Sequence, residues 1–141
     1  MNKSLIIALF VVVLFNSCSK DEETTTTTTP QTTTQKIQHR WNLVSIKDYQ
    51  YVGSSTTQID TIISYGVAGD YIDFRTNNIA YARIAGDYDT LNYSIISDTK
   101  ILFESDTLTI NQLTATDFKL TYYGREVNPV NNYDNVITLN R

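Results

Sequence analysis

Hydrophobic and polar residues alternate with a period of two along most of the chain between Ile37 and Arg141. This alternation is typical of β-strands with one buried face, and no stretch keeps the period of a helix. The pattern predicts short strands over 40–51, 58–65, 70–75, 79–84, 89–95, 100–104, 107–111, 118–122 and 136–140. Short strands at regular spacing predict an all-β fold, a small antiparallel meander barrel of about eight or nine strands, with a β-sandwich as the alternative.

One face of these strands carries the large apolar side chains. The residues expected in the core are Trp41, Leu43, Ile72, Phe74, Leu91, Tyr93, Ile95, Ile101, Phe103, Leu108, Ile110, Phe118, Leu120 and Tyr122. A chain of this length buries roughly 60% of the surface that it exposes when unfolded, which is enough for one core. We therefore predict that residues 37–141 form a single domain.

The N-terminus has a different hydrophobic pattern, an unbroken run of eleven apolar residues from Leu5 to Phe15. A membrane-spanning helix needs about 20 apolar residues, whereas the apolar part of a secretory signal peptide has about 7–15. We therefore predict a signal peptide over residues 1–17. The sequence Leu14-Phe15-Asn16-Ser17-Cys18 resembles a bacterial lipobox. The resemblance implies that Cys18, which is the only cysteine, becomes the lipidated N-terminus and that acyl chains such as palmitate anchor the protein to a membrane.

The segment after Cys18 is polar. Ser19-Lys20-Asp21-Glu22-Glu23 resembles the lipoprotein export signal of Bacteroidota, which implies an outer-membrane lipoprotein at the cell surface; an anchor that faces the periplasm is the alternative. From Thr24 to Lys36 the chain is mostly threonine and has no large apolar residue. Such a composition cannot compensate the entropy of backbone ordering. Residues 18–36 are therefore predicted to be the lipidated cysteine and a disordered Thr-rich tether.

The charge and the rarity of histidine and cysteine exclude several classes of function. The 141 residues include 11 Lys and Arg against 15 Asp and Glu, and this acidic balance argues against a nucleic-acid partner. His39 is the only histidine, and the five glycines never have the spacing of a phosphate-binding loop. We therefore predict no catalytic residue, no metal site and no cofactor, and we expect the protein not to be an enzyme.

Tyrosine is abundant, with ten residues in the chain. Tyrosine offers a large contact area and a polar hydroxyl, and it is enriched in binding surfaces, although it is also a good strand former. Five tyrosines fall near predicted strand ends or in loops, where they would rim the mouth of a barrel: Tyr49, Tyr51, Tyr122, Tyr123 and Tyr133. We name four of them as candidate ligand-binding residues, Tyr49, Tyr51, Tyr122 and Tyr133.

Three sequence patterns resemble the lipocalin-like domains of Bacteroidota lipoproteins, and the resemblance extends over residues 37–141. They are Trp41-Asn42-Leu43, Tyr71-Ile72-Asp73-Phe74, and Asp106-Thr107-Leu108-Thr109-Ile110 with Leu113, Asp117 and Leu120 after it. The resemblance implies a meander barrel with an open end. In the wider lipocalin family a late arginine packs on the tryptophan of the first strand, a role that Arg141 or Arg125 would have here on Trp41.

Two functions from different classes are consistent with these features. The first is a non-catalytic binding module for a small apolar molecule or a glycan. The second is a structural or interaction lipoprotein with a filled barrel, which presents loops 52–57 and 124–134 to a protein partner. A hollow apolar interior would favour the first and a filled interior the second. In both cases we expect a monomer attached to the membrane only by its N-terminal lipid.

Overall fold

The computed structural model describes residues 30–52, 57–124 and 133–141. The predicted signal peptide, Cys18, the export motif, Arg125 and the tips of both predicted presentation loops lie outside these residues. The described chain forms a short helix followed by antiparallel strands. The elements are α1 Thr33–Ile37, β1 Arg40–Tyr51, β2 Gln58–Tyr65, β3 Tyr71–Phe74, β4 Ile79–Ile84, β5 Asp87–Ser97, β6 Lys100–Phe103, β7 Asp106–Leu113, β8 Asp117–Tyr122 and β9 Tyr133–Asn140.

The sheet closes on itself through the long first strand. One edge of β1 pairs with β3 over Arg40–Asn42, and the other pairs with β9 over Asn42–Gln50. Strands β3 to β9 follow each other as a meander, so β1 and β3–β9 form a closed barrel of eight strands. This confirms the predicted antiparallel barrel and rejects the sandwich. The ninth strand, β2, is an extra one that pairs with β1 from Ser45 to Tyr51, beside β3.

Residues with left-handed backbone make the tight turns between the strands. Asn78 precedes β4 with φ of 62°, as expected of an Asn in a turn. Ala85 and Gly86, between β4 and β5, have φ of 53° and 94°. Two successive positive φ values characterise the two-residue turn that suits the twist of a hairpin. The backbone N–H of Ala85 donates to the buried Asp70 carboxylate at 3.1 Å, which holds this turn against the start of β3.

Large side chains fill the barrel interior. Trp41, Phe74 and Phe118 are at most 1% exposed, and the ring of Phe118 lies 5.3 Å from that of Trp41 and 5.7 Å from that of Phe74. These distances are those of well-packed aromatic pairs. Every residue predicted for the core is either buried in this cluster or packed against it. Among the described residues the alternation of the sequence therefore identified the inner face correctly.

Helix α1 covers one end of the barrel, which we call the closed end. Thr32 caps the helix together with Gln35, and the helix carries Ile37, which is completely buried. The indole N–H of Trp41 donates to the carbonyl of Ile37 at 2.9 Å, and the Thr33 hydroxyl reaches Asp98 in the β5–β6 turn at 2.5 Å. Residues 33–36, which the composition assigned to the tether, are thus helical, because a capping box and one apolar anchor suffice to order a single turn.

Candidate functional site

The pair of Trp41 and Arg141 lies at the closed end. The guanidinium carbon of Arg141 is 4.8 Å from the centroid of the Trp41 ring, within the range of a cation–π contact. Arg141 also donates from Nε to the carbonyl of Ala115 at 2.7 Å, and thereby connects the last residue to the β7–β8 turn. Arg141 therefore joins the tryptophan of the first strand to the turn between β7 and β8.

The four candidate tyrosines divide between the two faces of the barrel wall. The register between β1 and β9 shifts after Leu43, so the inner face of β1 continues through Ile46 and Asp48, while Tyr49 lies on the outer face. Tyr51 lines the same outer cleft as Tyr49. Tyr122 follows the inward residues of β8 and packs against the core, with its ring 6.2 Å from that of Tyr133. The structure therefore groups these residues as two pairs and not as one ring.

The outer pair belongs to a cleft across β1, β9, β8 and β7, which we call the tyrosine cleft. Its volume is about 270 Å³, and its lining residues are Tyr49, Tyr51, Asn111, Lys119, Thr121, Tyr123, Asp134 and Val136. The tyrosines are half-buried and Lys119 is exposed, whereas Thr121 and Asp134 are only 5% and 4% exposed. The Thr121 hydroxyl donates to Asn111 Oδ1 at 2.5 Å. The cleft thus combines aromatic surface with several hydrogen-bonding groups.

Lys119, Thr121 and Asn111 were not predicted as site residues from the sequence. The alternation of inward Phe118 and Leu120 did contain the signal for the first two, because it places the residues at 119 and 121 on the outer face. No local pattern indicates that Tyr49 and Tyr51 of β1 lie beside these residues of β8. That proximity follows from the closure of β1 on β9.

The inner pair lies at the end opposite α1, which we call the open end. A cleft of about 270 Å³ there is lined by Asp48, Gln50, Tyr133 and Asn135. The Asn135 amide donates to the Asp48 carboxylate. Burial raises the pKa of Tyr122, and the charge of Asp106 and the neighbouring Tyr133 raise it further, so its hydroxyl stays protonated at neutral pH. Beside β1 and β9, the open end is therefore lined mainly by polar side chains.

Two further clefts contain none of the predicted site residues. One of about 530 Å³ lies beside α1 and includes Thr33, Lys36 and Asp98. The other, of about 290 Å³, lies near the β4–β5 turn at the open end and includes Ile84, Asp87 and Leu91.

Within 30–52, 57–124 and 133–141, no three or more His, Cys, Asp or Glu side chains gather as a metal would require. His39 lies edge-on to Trp41, with ring centroids 6.5 Å apart.

No family model matches the chain, and no curated protein matches it. Over the part of the chain that the structure describes, no helix is both long and apolar enough to cross a membrane.

Proposed function

We propose that this chain is a lipid-anchored, surface-exposed and non-catalytic binding module that takes a glycan in the tyrosine cleft. The observation that carries the proposal is the grouping of Tyr49, Tyr51 and Tyr123 beside Lys119 and Asn111 on a filled barrel. The lipobox-like sequence at Cys18 and the acidic segment after it support the anchor and the outer-membrane address. The strand pattern supports a lipocalin-like domain.

A glycan suits the chemistry of the cleft better than an apolar molecule does. A sugar ring has apolar C–H faces that pack on aromatic rings, and it has hydroxyl groups that need both donors and acceptors. The tyrosine cleft offers aromatic faces together with an ammonium, an amide and a hydroxyl. Its volume of about 270 Å³ is small for a drug-sized ligand but suits a terminal sugar unit.

The barrel interior argues against carriage of an apolar molecule. Trp41, Phe74 and Phe118 are almost completely buried and fill the centre of the interior, which leaves an apolar ligand the cleft of about 290 Å³ beside Ala82, Ile84 and Leu91 at the open end. Asp48, Gln50 and Asn135 line one side of the open end, and burying these polar groups under an apolar ligand would be unfavourable. The buried aromatic residues at the centre of the barrel favour the interaction lipoprotein over a ligand carried inside the barrel, so the binding module that we propose has its ligand site on the outer surface.

The test is glycan binding by the full chain in detergent micelles, first on an array of monosaccharides and oligosaccharides and then by calorimetry with the best ligand. We expect Tyr51→Ala to lower the affinity at least tenfold, because a stacking surface is lost. The matched control is Tyr88→Ala, since Tyr88 is 75% exposed on β5 and does not line the cleft. No binding by the parent chain, or an equal loss in the control, would contradict the proposal.

A second candidate function is contact with a protein partner. The observation that favours it is a concentration of exposed apolar residues on and beside the β1–β2 hairpin.

A further inference from the structure

Exposed apolar side chains are concentrated in one segment of the described chain. Seven of the ten large hydrophobic residues that are exposed lie between positions 44 and 67. They are Val44, Val52, Ile59, Ile62, Ile63, Tyr65 and Val67. Single exposed apolar residues are common on protein surfaces, but a contiguous group marks a contact surface.

The centre of this segment is β2, which is the edge strand of the sheet. It pairs with β1 on one side only, whereas closure of the barrel gives each of the other eight strands a neighbour on both sides. Ile62 lies opposite Asp48 and Ile63 lies opposite Lys47, so successive isoleucines point to opposite faces of the sheet. Ile62 is 47% exposed and Ile63 is 39% exposed, which means that both faces of β2 are open.

Strand β2 lacks the features that usually protect an edge. Natural edge strands carry lysine, proline or a run of charges that prevent pairing with another chain. The sequence of β2 is Gln-Ile-Asp-Thr-Ile-Ile-Ser-Tyr, in which Asp60 is the single charged residue. Such a strand is rich in residues that favour sheets, and its backbone groups along the free edge can pair with a further strand.

We propose that β2 pairs with β2 of a second copy of this chain, antiparallel, across a two-fold axis that passes at Ile62. The sequence of β2 is self-complementary in this register. Ile62 faces its own copy, Thr61 faces Ile63, and Asp60 faces Ser64.

Charge excludes the register centred on Asp60, and the pairing of β-branched side chains favours the one centred on Ile62. A two-fold axis at Asp60 would place the two carboxylates opposite each other, which is unfavourable. An axis at Ile62 instead places each Asp60 opposite a hydroxyl, and it puts β-branched side chains opposite each other at the centre. A second copy thus provides a partner strand rich in β-branched residues, and its single charged residue, Asp60, meets a hydroxyl and not another carboxylate. We thus propose a dimer where a monomer was expected from the sequence.

The first test is the mass of the full chain in detergent micelles, measured by sedimentation equilibrium over a range of concentrations. We expect a dimer, and we expect Ile62→Lys to raise its dissociation constant at least tenfold because two ammonium groups would then face each other. The control is Ile96→Lys, since Ile96 is similarly exposed, at 55%, but lies on β5. A parent chain that stays monomeric, or a dimer that Ile62→Lys leaves unchanged, would overturn the proposal.

The second test identifies the register on intact cells. Directly opposed residues of antiparallel strands have Cα atoms about 4.5–5.5 Å apart, which is within the range of a disulfide. We therefore expect Ile62→Cys to form a disulfide-linked dimer. Gln58→Cys should not, because its two copies would be separated by about eight residues along the strands, or roughly 26 Å. A different strand or a lipid surface on this edge would yield no homodimer in either test, and a link at Gln58 alone would exclude this register.

Discussion

At the scale of single residues, the contact between Arg141 and Trp41 joins β1 to the residue that follows β9. Trp41 and Arg141 are at opposite ends of the domain sequence, and the structure brings the guanidinium to 4.8 Å from the ring centroid. The tyrosines are harder to place from sequence, because a tyrosine on either face of a strand has the same local pattern. Tyr49 and Tyr122 consequently lie on opposite sides of the barrel wall although both were proposed for one rim.

The contact of Arg141 predicts a measurable loss of stability. We expect Arg141→Ala to lower the free energy of unfolding by about 1–2 kcal/mol, because a cation–π contact and a hydrogen bond to Ala115 are lost. The measurement is urea unfolding of the full chain. Lys100→Ala is the control, since Lys100 is an exposed cation on β6, and replacing an exposed side chain of this kind should change the free energy of unfolding by less than about 0.5 kcal/mol. Equal effects of the two substitutions would argue against a special role for Arg141.

At the scale of elements, the alternation predicted the strands, but three features needed the structure. The register shift after Leu43 changes which residues of β1 face inward. Helix α1 forms within a polar segment because of its cap and Ile37. The segment between β2 and β3 runs along the same edge of β1, where the N–H of Gly66 donates to the carbonyl of Val44 at 3.0 Å and the N–H of Leu43 donates to the carbonyl of Asp70 at 3.1 Å.

The close approach of Gly66 to the backbone of β1 predicts that a side chain at this position lowers stability. A methyl group on Gly66 would overlap the backbone carbonyl of Leu43, whose carbon lies 2.7 Å from the Cβ position. We expect Gly66→Ala to lower the free energy of unfolding by about 1–3 kcal/mol, because backbone must move. Gly86→Asn is the control for backbone strain without overlap: nothing lies within 4 Å of its Cβ position, so its effect, about 1 kcal/mol, should come from its φ of 94° alone. A Gly66→Ala variant as stable as the parent chain in thermal unfolding would contradict the close contact of Gly66 with β1.

At the scale of the whole molecule, closure of the barrel determines what the protein can bind. Pairing of β1 with β9 brings Tyr49 next to β8 and leaves β2 outside the ring of strands. The same closure surrounds Trp41, Phe74 and Phe118, which then fill the interior. Binding surfaces are therefore expected on the outer wall and along β2.

The filled interior predicts the effect of truncating a central side chain. We expect Phe118→Ala to lower the free energy of unfolding by about 3–5 kcal/mol, since Phe118 is completely buried between other rings. The cavity should also let the variant, and not the parent chain, bind a small apolar probe such as benzene. Denaturant unfolding and probe binding by NMR measure the two effects. A loss below about 1 kcal/mol, or probe binding by the parent chain, would indicate a hollow barrel.

The sequence by itself determined the all-β class, most strand limits and the identity of the core, because each depends on a local alternation that any antiparallel sheet must satisfy. The lipobox-like and export-like segments can also be identified from the sequence alone, because they depend on the order of residues and not on how the chain packs. Only the tertiary structure decided that the strands close as eight with β2 outside, that Lys119 and Asn111 join Tyr49 in one cleft, and that Arg141 lies over Trp41. These features depend on which strand pairs with β1 on each edge, and pairing between distant strands is set by the packing of the whole core and not by neighbours in sequence.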